Sequence, residues 1–241
     1  MVSHDEGSGL TDTERQRFVS TLQNLKQNGS SLLVVGSVPD SAATQACHRM
    51  LGDVTARDRR RLFVSTDPAL PTVTDRLSAS HERLRSDRTT LVTWTAKSRS
   101  AATASPSHQS SDGIPTVSVE SDRLADLGIA ISREIEAFEE IAVELAPSEL
   151  RVCFDSLSAL VADYEREEVF RFLHVLVGRI RSVQAMAHFH LPVDYDSELV
   201  AQFAPLFDAI IELRIVDDRA QQRWHLRDEN ITSQWLTPST V

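Results

Sequence analysis

LRVCFDSLSALV, residues 150–161, is the stretch on which the reading of the fold turns. It opens as a short hydrophobic run, LRVCF, broken only by Arg151, and carries Asp155 at its centre. Apolar residues at successive positions put hydrophobic side chains on both faces of a strand, which is the mark of a parallel sheet covered on both sides. Working outward, SSLLVVGS (30–37), RRRLFVSTD (59–67), TTLVTWT (89–95), IPTVSVES (114–121), AMAHFHL (185–191) and DAIIELRIV (208–216) have the same character. Helical periodicity lies between them. One helix is expected after Pro39, with Asp40 or Ser41 as cap and Gly52 at its end. A weak amphipathic segment follows at 72–86. A long helix is expected from Asp122 to about Leu145, with Leu124, Leu127, Ile131, Ile135 and Phe138 on one face. Shorter helices follow at 165–182 and 196–203. Strands alternating with helices predict an α/β domain with a mainly parallel sheet and helices on both faces. The tail, QRWHLRDENITSQWLTP (222–238), alternates polar and apolar residues around a turn at Asp228–Asn230 and predicts a C-terminal β-hairpin.

The periphery has a different texture. Residues 1–29 read as a frayed leader followed by a helix capped by Thr11 or Asp12, with Phe18, Leu22 and Leu25 on one face and Asn28-Gly29 as the stop. Residues 30–238 read as a single domain. Within it, AKSRSAATASPSHQSSDG (96–113) has six serines and no large apolar residue. Such a stretch buries too little surface to offset its ordering entropy, so it is expected to be a mobile loop dispensable for folding.

Composition narrows the function. The chain has 241 residues, 41% hydrophobic and 25% charged, which suits a globular domain. It carries 35 acidic against 25 basic residues, a net charge of −10, and its only lysines are Lys26 and Lys97. An acidic, lysine-poor surface suits molar salt, where a Debye length of about 3 Å weakens its self-repulsion. The chain is therefore expected to be halophilic. No basic stripe stands out, and high salt weakens phosphate contacts, so nucleic acid is an unfavoured partner. No apolar run approaches the roughly 18–20 residues that cross a bilayer, and the polar N-terminus lacks the features of a signal peptide. The expected location is the cytoplasm, with no membrane partner.

The chemistry centres on the first strand–helix turn. Residues 36–44 read GSVPDSAAT. A phosphate-binding loop of the form G-x-x-x-x-G-K-[ST] converges backbone N–H groups on phosphate, with a lysine for the β/γ-phosphates and a hydroxyl for Mg²⁺. Gly36 matches the first glycine. Ser41 then stands at the second glycine, Ala42 at the lysine and Ala43 at the hydroxyl. Asp40 adds negative charge where phosphate would lie. Asp155, ending a hydrophobic strand, matches the carboxylate that holds a Mg²⁺ hydration shell in such enzymes.

These segments resemble the RecA/KaiC-like P-loop ATPases. The resemblance rests on VGSVPDSAATQACHRML, RLFVST, SVESDRLADLGIAISREIE, LRVCFDSLSALV and FAPLFDAIIELR in that order, over roughly residues 30–216, with DSLSAL and FDAIIEL its most specific elements. It is closest in character to archaeal, haloarchaeal KaiC-like proteins with degenerate P-loops. It implies a RecA-like P-loop fold in which Gly36, Ser41, Ala42, Ala43 and Asp155 are a vestigial nucleotide site without catalytic residues. Where the family carries paired catalytic glutamates, this chain reads Ser65-Thr66-Asp67. The implied function is a catalytically degenerate pseudo-ATPase: a regulatory or protein-interaction module needing no cofactor, with a protein partner or a second copy docking on its RecA-like surfaces. The alternative is a weak nucleotide-binding ATPase using ATP and Mg²⁺, with Asp155 as the metal-side residue. Arg219 and Arg223 are candidates for an arginine finger by location alone.

Other residues are expected to be structural. Cys47 and Cys153 form no CxxC pair and read as small buried hydrophobes, without a disulfide or zinc site. His188 and His190 share one face of a strand, and would ligate metal only with an acidic partner such as Asp155 or Asp194. Asp194 and Asp196 lack the spacing of a calcium loop. Ser156 and Ser158 lack a nucleophile elbow. Arg57, Arg59, Arg60 and Arg61 read as a solvated basic cluster.

Overall fold

The computed structural model describes residues 11–52, 59–66, 88–96, 107–111, 114–142 and 145–237. In chain order the elements are α1 (Asp12–Asn28), β1 (Ser30–Val35), α2 (Asp40–Leu51), β2 (Arg60–Ser65), β3 (Thr89–Ala96), β4 (Ser107–Ser111), β5 (Ile114–Ser121), α3 (Leu124–Ala142), β6 (Leu150–Phe154), α4 (Ser158–Asp163), α5 (Arg166–Ser182), β7 (Met186–Leu191), α6 (Glu198–Phe203), β8 (Ala209–Val216), β9 (Arg219–Leu226) and β10 (Ile231–Thr232). They form one sheet in the order β10-β9-β8-β1-β7-β6-β2-β3-β5-β4. Every pairing from β8 across to β5 is parallel. The antiparallel pairings lie at the two edges, β10 and β9 at one and β4 at the other. Among the described residues no helix is long and apolar enough to cross a membrane.

β1, β6 and β7 are buried at every residue. Their alternation sorts the core into two halves. Leu33, Val35, Val152, Phe154, Ala187 and Phe189 face α3, α4, α5 and α6. On the opposite face, Leu32, Val34 and Met186 meet Phe18 of α1 and Ala46 and Met50 of α2, while Cys153 and Phe63 meet Cys47 and Leu51 of α2. α1 begins with a capping box: Thr11 Oγ1 accepts from Glu14 N at 3.3 Å, and Glu14 Oε2 accepts from Thr11 N at 2.8 Å. The C-terminal end of α2 meets three arginines. Arg151 Nη1 donates to Met50 O at 3.2 Å, Arg59 Nη1 to Leu51 O at 3.0 Å and Arg61 Nη2 to Gly52 O at 2.7 Å. These cations satisfy orphan carbonyls at the negative end of the helix. Arg60 pairs with Glu149 at 3.2 Å. The basic run at 59–61 is therefore bonded into the fold rather than free in solvent; Arg57 lies outside the described residues.

Two expectations need correction and a third is extended. Residues 96–113 are not loop throughout: Ser107–Ser111 pairs antiparallel with β5, adding an edge strand. Residues 97–106 and 112–113 lie outside the described residues, as do the leader (1–9) and the segment at 72–86. The stretch 150–161 is strand only to Phe154, and its second half turns into α4. The C-terminal hairpin expected at Asp228–Asn230 does form, between β9 and the two-residue β10, but β9 also folds back on β8 over eight residue pairs. That larger hairpin turns at Asp217 and Asp218, with φ of +49° and +58°. Two left-handed residues in sequence are what a tight hairpin needs, and Asp tolerates that region.

Gly36 ends β1 with φ +125°. A Cβ there would lie 2.3 Å from the Leu213 carbonyl oxygen of β8, and backbone cannot swing aside as a flexible side chain can. Gly36 N also donates to Val193 O at 2.8 Å. Packing and φ alone demand glycine here. Gly36→Ala should cost more than about 2 kcal/mol in chemical denaturation. A change below about 0.5 kcal/mol would mean that the β1–β8 approach relaxes freely.

Candidate functional site

The carboxyl ends of β1, β6 and β7 open on a crevice, the position where sheets of this kind hold ligands. Its volume is about 110 Å³, and its lining includes Gly36, Asp40, Ala43, Asp155, Ser156 and His190. Of the residues expected at a nucleotide site, the structure thus brings Gly36, Ala43 and Asp155 together. Ser41 is exposed on the first turn of α2, and Ala42 is buried beneath it. Pro39 caps the helix without a side-chain hydrogen bond. The amides of Ala42 and Ala43 both donate to the Pro39 carbonyl, at 2.9 and 3.2 Å. Asp40, at the first helical position, supplies its own negative charge to the positive end of the helix. No side-chain cation lies among the lining residues.

Asp155 is fully engaged. Its Oδ2 accepts from Ser65 Oγ at 2.6 Å and its Oδ1 from Thr66 N at 3.0 Å. Thr66 Oγ1 donates to the Ser156 carbonyl at 2.5 Å. The carboxylate thus ties the end of β6 to the end of β2. Asp67 lies outside the described residues. Ser156 Oγ accepts from Ser158 N at 3.1 Å, which starts α4 rather than priming a nucleophile.

On the outer side of the Gly36 turn is a wider hollow of about 630 Å³, whose lining includes Asp194, Tyr195, Asp196, Glu212, Arg214 and Arg223. Of its two arginines, Arg223 is paired with a carboxylate, while Arg214 donates to the neutral Gln221 Oε1 at 2.9 Å. Arg223 donates to Glu212 at 2.7 Å, and its guanidinium lies 4.5 Å from the Trp235 ring, with that of Arg214 at 3.8 Å. His225 bonds the same Glu212 oxygen at 3.0 Å and stacks on Tyr195 at 3.9 Å. Burial lowers the His225 pKa, and Glu212 opposes that shift. Arg219 is exposed at the start of β9. Asp194 accepts from Ser37 Oγ at 3.1 Å. The FDAIIEL element has structural reasons of its own: Asp208 accepts from Ser31 N at 2.7 Å and pairs with Arg181 at 2.8 Å, joining β8 to β1 and α5.

Below the crevice lies a cluster that runs against expectation. Cys47 on α2, Cys153 on β6, and His188 and His190 on β7 are all buried, with one donor atom from each within 4.8 Å of the others. Cys47 Sγ is 3.0 Å from Cys153 Sγ and 3.2 Å from His188 Nε2. The two rings stand edge to face at 5.4 Å. The hydrogen bond from Cys153 lowers Cys47 well below the ordinary thiol range, with the His188 interaction adding to it. Burial lowers His188, which favours the neutral imidazole. The cysteines are buried in an apolar cluster as expected, and Cys47 also meets His188, while neither Asp155 nor Asp194 joins the cluster. Alternation along β6 and β7 already put Cys153, His188 and His190 on one face. What was missing is that this face is the one α2 covers.

The contacts of Asp155 include the Ser65 hydroxyl and the Thr66 amide, and Asp155→Asn can keep these two by donating from Nδ2 to Ser65 Oγ. We expect its stability to stay within about 1 kcal/mol of the wild type, equally with Mg²⁺ and with chelator. Asp155→Ala orphans the buried Thr66 amide and should cost about 1–3 kcal/mol. Thermal or chemical unfolding of the three proteins checks both values. Stabilisation of the wild type by Mg²⁺ that Asp155→Asn abolishes would contradict the structural role.

No curated protein matches the chain. A family model described as a family of unknown function (DUF7504) matches residues 29–213, from the glycine before β1 to the middle of β8, and the chain belongs to that family.

Proposed function

We propose that this chain is a pseudo-ATPase: a RecA/KaiC-like framework that no longer does nucleotide chemistry and acts by protein contact. Three features support the ancestry. A glycine turn and helix follow β1, Asp155 closes β6, and both point into one crevice with β7 between them. The observation that carries the loss of chemistry is the N-terminus of α2. Asp40 stands where phosphate charge would be welcomed, and Ala42 and Ala43 supply neither cation nor hydroxyl.

The contact face is argued from α3 and α5. The groove between them, about 660 Å³, is lined by Gly128, Ile129 and Val175 together with Arg133, Glu136, Glu168 and Arg171. Ile129 is 48% and Val175 71% exposed, unusual for large apolar side chains. Its charges come as two of each sign on one patch, which suits a two-fold contact with a second copy. Val175→Asp would place a carboxylate in that contact. It should reduce the wild-type association state to monomer in sedimentation at fixed molar salt. An association state that the substitution leaves unchanged would remove this face from the proposal.

Nucleotide is tested separately. A ligand at about a hundred times its Kd stabilises a protein by ~2.7 kcal/mol. Millimolar ATP with Mg²⁺ should leave the melting temperature unchanged at constant salt. A clear rise would favour the weak ATPase instead, with the wider hollow beside Tyr195 and Arg214 as its entrance.

A further inference from the structure

We infer that Cys47, Cys153, His188 and His190 form a tetrahedral site for a single Zn²⁺-class cation, clamping α2 onto β6 and β7 beneath the crevice. The donor set is the first reason. Two thiolate sulfurs and two imidazole nitrogens are the ligands of closed structural zinc sites. Zn–S bonds of about 2.3 Å and Zn–N bonds of about 2.0–2.1 Å place tetrahedral donors roughly 3.3–3.8 Å apart. The donors here span from 3.0 Å between the sulfurs to a limit of 4.8 Å across the set, so small rotamer adjustments reach that geometry. The second reason is an unmet need. His190 is only 7% exposed, and its Nε2 has no hydrogen-bond partner. A buried polar atom without a partner is costly, and a disulfide between the cysteines would leave that nitrogen as it is. The third is charge. Two thiolates and two neutral imidazoles cancel a divalent cation, which makes the assembled centre tolerable in an apolar core. The surroundings match: Phe63, Leu51 and Leu91 pack around the sulfurs.

Binding is balanced by proton release. Any proton still held by either sulfur is released as it takes up the metal, while each imidazole donates an existing lone pair. His190 lines the crevice floor, so the crevice is the route by which the ion enters. The same placement couples the clamp to the N-terminal half of α2, which carries Asp40 and Ala43.

The test uses the full chain, reduced and stripped of metal, titrated with Co²⁺ and then Zn²⁺. We expect one Co²⁺ per chain with the visible bands of tetrahedral cobalt and a near-ultraviolet thiolate charge-transfer band. Zn²⁺ should displace it stoichiometrically and raise the melting temperature. Cys153→Ala should cut the thiolate band to about half per bound Co²⁺ or abolish binding. If that variant does not fold, His190→Gln, at the edge of the cluster, should weaken Co²⁺ affinity at least tenfold and alter the visible bands. Three results would overturn the site: only octahedral, thiolate-free cobalt binding; an unchanged spectrum in His190→Gln; or as-purified protein whose cysteines titrate as a disulfide. None of these readouts depends on nucleotide or on self-association.

Discussion

The structure depends on how closely β1 approaches β8. Gly36 lets the end of β1 run against the Leu213 carbonyl with no room for a side chain, and its amide is held by Val193. That contact fixes where the chain leaves the sheet and where α2 begins. Given that start, α2 crosses the sheet above β6 and β7, and its C-terminal carbonyls reach Arg59, Arg61 and Arg151. A helix pinned at both ends holds Asp40 at the crevice mouth and Cys47 over Cys153 and His188. The glycine that looks like a remnant of phosphate binding therefore has a packing reason to persist on its own.

The crevice is dominated by negative charge and by bonds already made. Asp40 and Asp155 line it, and Asp194, Asp196 and Glu212 line the adjoining hollow. The arginines nearby are held by Glu212 and the Trp235 ring. A phosphate entering the crevice would meet Asp40 and Asp155, and no arginine or lysine is among its described lining residues. Closing β6 to β2 through Asp155 gives that carboxylate work to do without a metal. On the proposed reading, ordinary structural bonding occupies the residues that the resemblance would assign to nucleotide chemistry.

Much of this could be read from the residues, and the exceptions have physical causes. β1, β6 and β7 were legible because burial on both faces leaves a continuous apolar signature. β4 was not, because an edge strand of Ser, His and Gln pairs through its backbone and shows no apolar alternation. The hairpin of β8 and β9 was hidden because Asp217-Asp218 is a less familiar left-handed pair than Asn-Gly. Of the candidate site, the juxtaposition of Gly36 with Asp155 was legible from two local motifs. The Cys/His cluster was not: Cys47 and Cys153 are 106 residues apart, and only the three-dimensional choice of sheet face for α2 unites them.

The central proposal is that the N-terminus of α2 does not receive phosphate. Amide hydrogen exchange across residues 36–43, with and without saturating ATP and Mg²⁺ at constant salt, tests it at the atoms concerned. The account predicts identical exchange of the Asp40 and Ser41 amides in both conditions. Nucleotide-dependent protection confined to those amides would contradict it, because only an anion seated on the helix would produce that pattern.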